Sequence, residues 1–259
     1  LKIVRGNSGI GDSLYVRAVV EYFLRDGERV TVCANHAEIF YGLDCKIEAH
    51  RRDRVTTHAV YTTRKSRTDS NQWQDVCIQA GIPADTPLCF TWQCRNPALI
   101  QELRAKANGR PLILVHGGRT PMGRKDGFGK ELLPNKAAFD AVLSALGDCY
   151  TVRVGKGADA YPLPVSIDLN GATSVSELMD LGQACDAVVG QCSFAIPLAE
   201  GFDKPAIFVW AAAGFKAQHA YIRQIRPEKV LSSERSAFVL DSWSREQIIE
   251  EVHAFRLNL

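Results

Sequence analysis

Short apolar runs along the chain alternate with longer stretches in which apolar positions recur every three to four residues. Lys2–Arg5 reads as a first strand ending at Gly6. In Asp12–Arg25, the residues Leu14, Val16, Val19, Val20, Phe23 and Leu24 form one stripe at helical spacing, and Gly27 closes the helix. Arg29–Cys33 is a second strand, followed by weaker strand signals at Lys46–Ala49 and Ala59–Tyr61. Asn71–Ala80 reads as a helix stopped by Gly81 and Pro83. Pro97–Lys106 reads as another, with Asn96 as its cap and Pro97 in its first turn.

After the punctuation Ala107-Asn108-Gly109-Arg110-Pro111 the pattern restarts. Strands are expected at Leu112–Val115, Tyr150–Val154, Val165–Leu169, Ala187–Val189 and Ala206–Trp210. Helices are expected at Pro134–Leu146, Ser174–Cys185, Phe194–Phe202 and Ser244–Leu257, the second carrying the capping-box pair Ser174 and Glu177. Strands alternating with helices imply parallel sheets covered on both faces. The restart divides the chain into two such units, 1–107 and 111–259. An α/β protein of this kind places its ligand at the carboxyl ends of the strands, in the cleft between units.

Composition narrows the class. The chain has 259 residues, 46% of them hydrophobic and 23% charged, which suits a globular protein and excludes collagen-like or disordered chains. No apolar run approaches the ~18–20 residues of a membrane span, and no signal-peptide pattern follows the basic start, so a cytoplasmic protein is expected. The 31 basic and 29 acidic residues are too balanced to argue for nucleic-acid binding from totals. Between His50 and Arg67, however, six cations, Arg51, Arg52 and Arg64 among them, face one acid, Asp53. That segment is either a solvated face or a site for an anionic partner. The eight cysteines include no Cys-x-x-Cys pair and none at zinc spacing with histidine, so reduced thiols and no metal site are expected. The six histidines show no partner by spacing.

Three strand–turn–helix junctions carry candidate chemistry. The first is Gly6-Asn7-Ser8-Gly9-Ile10-Gly11-Asp12. Its glycines are spaced G-x-x-G-x-G rather than G-x-G-x-x-G, and the second strand ends without an acid for a ribose, so NAD binding is disfavoured. A P-loop fails because Asp12 stands where Lys should follow Gly11. Asp12 is either a favourable charge in the helix's first turn or a carboxylate at the cleft, poised as a general base. The second junction is Val115-His116-Gly117-Gly118, a tight turn or a set of free backbone N–H groups for a ligand oxygen. It leads into a loop bearing Arg119, Arg124, Lys125 and Lys130, suited to a phosphate. The third is Gly190-Gln191-Cys192-Ser193-Phe194, where Ser193 suits a helix cap or a phosphate oxygen. Cys192 is a buried filler or a thiolate nucleophile of a hydrolase, in a setting like a nucleophile elbow.

In this order, the three junctions resemble the heptosyltransferase-type glycosyltransferases of family 9, which have the GT-B fold. Gly9-Ile10-Gly11-Asp12 is similar to the family's opening G-x-x-G-D motif. Gly117-Gly118, then Lys130-Glu131-Leu132-Leu133-Pro134 and the helix from Phe139, resembles its "G…K-x-W-P…F…L" segment. Gly171-Ala172-Thr173-Ser174-Val175-Ser176-Glu177-Leu178 through Pro205 resembles "G-x-T-S-L-x-E-L…V-V-x-x-D-S-G…H-L-A…P". The family's Asp of D-S-G falls on Cys192, its Gly on Phe194, its His on Pro197 and its Trp on Leu133.

The resemblance implies two Rossmann-like parallel-sheet domains facing across a cleft. It implies a nucleotide-sugar donor held by the later domain, with Gly117, Gly118, Arg124, Lys130, Gln191 and Ser193 at the diphosphate and Asp159 and Thr173 toward the nucleotide. Asp12 would deprotonate the acceptor hydroxyl in a direct, inverting, metal-independent transfer. Gly9, Gly11, Arg51, Arg52 and Arg64 would lie on the acceptor side. The acceptor would be anionic, a lipopolysaccharide core-like glycan or a modified nucleobase in DNA, reached at the inner face of a membrane in the first case. The alternatives are the Cys192 hydrolase and a nucleotide-sugar-binding module without catalysis.

Overall fold

A computed structural model describes residues 1–6, 9–49, 58–59, 70–118, 133–156, 161–213 and 227–256. The apolar runs become strands β1 (Lys2–Arg5), β2 (Val30–Ala34), β3 (Lys46–Ala49), β4 (His58–Ala59), β5 (Leu112–His116), β6 (Tyr150–Arg153), β7 (Ile167–Asp168), β8 (Ala187–Gln191), β9 (Ala206–Trp210) and β10 (Ser236–Leu240). The periodic stretches become helices α1 (Ile10–Arg25), α2 (Gln72–Ala80), α3 (Pro97–Ala107), α4 (Lys136–Ala145), α5 (Val175–Ala184), α6 (Ala195–Gly201), α7 (Pro227–Val230) and α8 (Arg245–Arg256). Caps act where the sequence places them. Asn71 and Ser174 close capping boxes with Gln74 and Glu177, and Asn96 accepts from the Leu99 N–H. The 3-10 turn Ala37–Phe40, helix α7 and strand β10 have no counterpart in the sequence pattern.

Both sheets are wholly parallel, as the alternation requires. The first has the order β3-β2-β1-β4 and the second β10-β9-β8-β5-β6-β7. Chain order reverses between β1 and β4 in the first sheet and between β5 and β8 in the second. These are the topological switch points, and their carboxyl ends are where the fold leaves room for a ligand. At the first lies the Gly6–Asp12 junction. At the second lie His116, paired in register with Gly190, and the turn after Gln191.

One apolar core runs through both lobes. It joins Val4, Val19 and Phe40 of the first to Leu112, Val188, Leu198 and Phe208 of the second. A second core covers the other face of the later sheet under α4 and α8, with Phe139, Val142, Ile248 and Val252 at its centre. The lobes meet where α1 packs on α6 and where the 3-10 turn packs on α5. Helix α3 packs on α5, and Arg104 pairs with Asp186 at 2.6 Å. Among the described residues no helix is long and apolar enough to cross a membrane.

Candidate active site at the junction of the lobes

Asp12 is the third residue of α1, which begins after the Gly9 cap. Its carboxylate accepts a hydrogen bond from the Gly9 N–H, the return half of a capping box. The cap reading of Asp12 is therefore real, but it is not the whole account. Burial at the lobe junction outweighs that hydrogen bond and raises the carboxyl from 3.8 to about 6. A carboxylate retained where ionisation is penalised is a candidate for proton transfer near neutral pH.

The junction is tight. A Cβ at Gly11 would stand 3.3 Å from Phe194 Cα, so the start of α1 lies directly on the β8–α6 turn of the other lobe. One turn further along α1, the Tyr15 hydroxyl is buried, and its ionisation is opposed by that burial and by Glu200, Cys192 and Asp12. Glu200 is itself raised by burial, and it accepts from the Ser232 and Ser233 N–H groups at 2.8 and 3.2 Å.

Across the junction, Ser193 Oγ lies 2.9 Å from His116 Nδ1 and donates to the Gln191 carbonyl at 3.1 Å or to that nitrogen. It also accepts from the Ala195 N–H at 3.2 Å. Ser193 thus closes a hydroxyl turn just before α6, a seven-residue helix whose cap position is Phe194. The His116 ring packs on Phe194 with centroids 4.3 Å apart. His116 and Ser193 are 77 positions apart in the chain, so no spacing rule could pair them. The adjacent ends of β5 and β8 do so. Gln191 is 1% exposed, which makes its side chain part of the wall.

The glycine turn after β5 has a packing cause. At Gly117 a Cβ would overlap the Phe139 ring. Gly118 takes φ +77°, where a Cβ would meet the Tyr161 carbonyl at 2.8 Å. Arg153, 2% exposed, donates to the Gly117 carbonyl at 3.0 Å and pairs with Asp168 at 3.3 Å. Both glycines are therefore demanded by the neighbouring side chains and by the turn itself, with or without a ligand. Nearby, the turn at Asn170–Gly171 folds back so that the Gly171 N–H donates to the Gly155 carbonyl at 2.7 Å. Thr173 follows this turn, beside the Ser174 cap of α5. Gly9 and Gly11 flank the start of α1.

The structure does not favour the Cys192 nucleophile reading. The residue is partly buried, and burial pushes its thiol up to about 12, which favours the protonated form at neutral pH. The one described histidine at this junction, His116, bonds Ser193 instead. All described cysteines are free thiols. Arg51, Arg52, Arg64, Arg124, Lys130 and Asp159 lie outside the described residues. Among the described residues no group of three or more His, Cys, Asp or Glu is placed to hold a metal ion.

No protein-family model and no curated protein sequence matches the chain. Solved structures do. The glycosyl transferase family 9 protein of Veillonella parvula superposes with a TM-score of 0.68 at 12% identity, over 99% of this chain and 97% of that one. The ADP-heptose LPS heptosyltransferase II of E. coli gives 0.62 at 13% identity, over 100% and 99%. The E. coli heptosyltransferase WaaC, solved with ADP, gives 0.59 at 7% identity, over 98% and 100%. At these identities the likeness shows the fold. It is the two-lobed GT-B architecture of the family 9 heptosyltransferases, over nearly the full length of each chain.

Proposed function

We propose that the protein is a glycosyltransferase that moves a sugar from a nucleoside-diphosphate sugar to a hydroxyl of an anionic acceptor. The observation that carries this reading is the placement of Asp12. A carboxylate raised by burial to about 6 stands at one switch point, next in the chain to Gly11, which packs on the turn that forms the other. Above pH 6 it is ionised and able to take the proton of an incoming alcohol. Such general-base help contributes about 10²–10⁴-fold.

The donor diphosphate lies at the carboxyl ends of β5 and β8 in this reading, over the Gly117-Gly118 turn and against Ser193 and the Ala195 N–H. His116 holds the Ser193 hydroxyl in place, and Arg124 and Lys130 neutralise the leaving diphosphate. Fixed donors and cations aimed at developing charge are usually the largest catalytic contribution. Attack is direct from the Asp12 side, so the anomeric centre inverts, and these groups supply the charge a metal would otherwise supply. In this reading Asp159 and Thr173 serve the nucleotide. ADP in the WaaC structure supports a nucleoside diphosphate as the carrier.

On the acceptor side, Gly9 and Gly11 shape the approach to Asp12, and Arg51, Arg52 and Arg64 meet the acceptor's phosphates. A phosphorylated glycolipid core fits these cations and the LPS substrate named for the E. coli heptosyltransferase II structure. It would place the protein in the cytoplasm, at the inner face of a membrane. The test is to incubate the protein with a panel of nucleotide sugars and an anionic glycolipid and to follow nucleoside-diphosphate release. Release that depends on both partners supports the reading. Release that is independent of the acceptor, or absent with every donor, refutes it. Salt-sensitive binding to DNA but not to the glycolipid moves the acceptor to a nucleobase.

A further inference from the structure

Residues 90–96, which lead from the first sheet's lobe to α3 packed on the later one, are gripped from both sides by buried carboxylates. Glu21 of α1, 3% exposed, accepts from the Thr91 N–H at 2.9 Å and from its hydroxyl at 3.0 Å. It is held in turn by Arg17 at 2.7 Å, and Arg17, 1% exposed, donates to the Ile39 and Thr91 carbonyls. The next residue belongs to the other lobe's grip. Asp180 of α5, 1% exposed, accepts from Trp92 Nε1 at 2.6 Å, the Arg95 N–H at 2.9 Å and the Asn96 N–H at 2.7 Å. Gln183 adds a bond to the Trp92 carbonyl at 2.9 Å. One residue earlier, the Phe90 N–H donates to the Gly201 carbonyl of α6 at 2.7 Å. The Phe90 ring fills the space a Cβ would need at Gly201. The Arg17 guanidinium also stacks over the Trp92 ring at 5.1 Å, tying the two grips together.

A segment acting as a hinge leaves its backbone free to rotate. This one is bonded at Phe90, Thr91, Trp92, Arg95 and Asn96 to groups on α1, α5 and α6, and the core beside it runs unbroken from one lobe to the other. Lobes joined through a large apolar interface do not move independently. We infer that Phe90–Asn96 is a strap that locks the two lobes in one orientation, with Glu21 and Asp180 as positioning residues that set the spacing between Asp12 and the β8–α6 turn before any substrate arrives. The geometry follows the chain. Glu21 lies on the same helix as Asp12, and α5, which carries Asp180, leads directly into β8. The catalytic consequence rests on the function proposed above; the rigidity does not.

The test measures the distance between the lobes with spin labels on unnatural residues at positions 78 and 250, exposed sites on α2 and α8, by double electron–electron resonance. In the wild type one narrow distance is expected, moving by less than about 2 Å when ADP is added. Two populations, or a larger shift with ADP, overturns the proposal. Asp180→Ala is expected to broaden the distribution. It should also lower kcat about 10–100-fold with the donor KM within about twofold, because a misplacement near 1 Å costs about that much. Gln183→Ala, a milder change, should move both readouts in the same direction. A broadened distribution with wild-type kcat overturns the positioning role. If no donor is turned over, the proposed function fails, and the distances in the wild type and in Gln183→Ala still decide whether the strap locks the lobes.

Discussion

Replacing Asp12 by Asn separates a functional carboxylate from a structural one. Asn keeps the size of the side chain and an oxygen to accept from the Gly9 N–H, and it removes the charge. The folded-state pKa is raised from 3.8 to about 6, so the folded protein favours the protonated acid. Stability tied to this group is complete below 3.8 and is lost as the pH rises through about 6. At about 1.4 kcal/mol per pH unit the penalty on the ionised form has an upper bound of about 3 kcal/mol. Asp12 retains some contact with water, which discounts this to about 1–2 kcal/mol. Asp12→Asn should therefore stabilise the protein at pH 8 by about 1–2 kcal/mol, a rise of about 2–8 °C in Tm, and the gain should vanish by pH 3.5. In the same preparation transfer should fall about 10²–10⁴-fold while donor binding stays within about twofold. Denaturant titration at the two pH values and a turnover assay read both arms. A variant no more stable than the wild type at pH 8 would show that the carboxylate is not desolvated. Normal turnover would show that it is not the base.

Other outcomes follow from the same structure. Turnover in the wild type should fall as pH drops through about 6, as Asp12 takes up its proton; a profile flat from pH 7 to 5 contradicts its role. Cys192→Ala, or alkylation of accessible thiols, should leave transfer within about twofold, since a thiol raised to about 12 does no chemistry at neutral pH; loss of activity in a folded Cys192→Ala protein would revive the hydrolase. Gly117→Ala places a methyl group in the Phe139 ring and should cost about 1–3 kcal/mol of stability by chemical denaturation. An unchanged midpoint would mean that the α4 packing yields freely.

Much of the scaffold was readable because periodicity reports burial. The stripe of α1 and the apolar run of β5 each announce their buried side. Strand β10 was missed because Ser236–Leu240 is a short outer strand, with Val239 alone fully buried. The strap was missed for a different reason. Residues 88–96 have no period, and the carboxylates that hold them sit on α1 and α5, about 70–90 positions away in each direction. Arg17 and Glu21 lie off the apolar stripe of α1, and it is Ile39, Thr91 and Trp92 that cover them. Asp12 was legible as a position but not as an environment, since the burial that raises it arises only in the folded chain, where neighbouring Gly11 packs on Phe194. The Gly117-Gly118 turn shows the reverse. Its glycines read equally as a tight turn or as an opening for a ligand, and the structure gives them a packing duty first.

The proposed hold of the later lobe on a nucleoside diphosphate is tested most directly by melting the protein in the presence of nucleotides and nucleotide sugars. A ligand that binds only the folded state at one hundred times its Kd stabilises by about 2.7 kcal/mol, which is about 5–10 °C for a chain of this size. The account predicts such a rise with a nucleoside diphosphate or its sugar, retained in Asp12→Asn, and little or none with the matching nucleoside. No rise with any diphosphate, or an equal rise with the bare nucleoside, would contradict it.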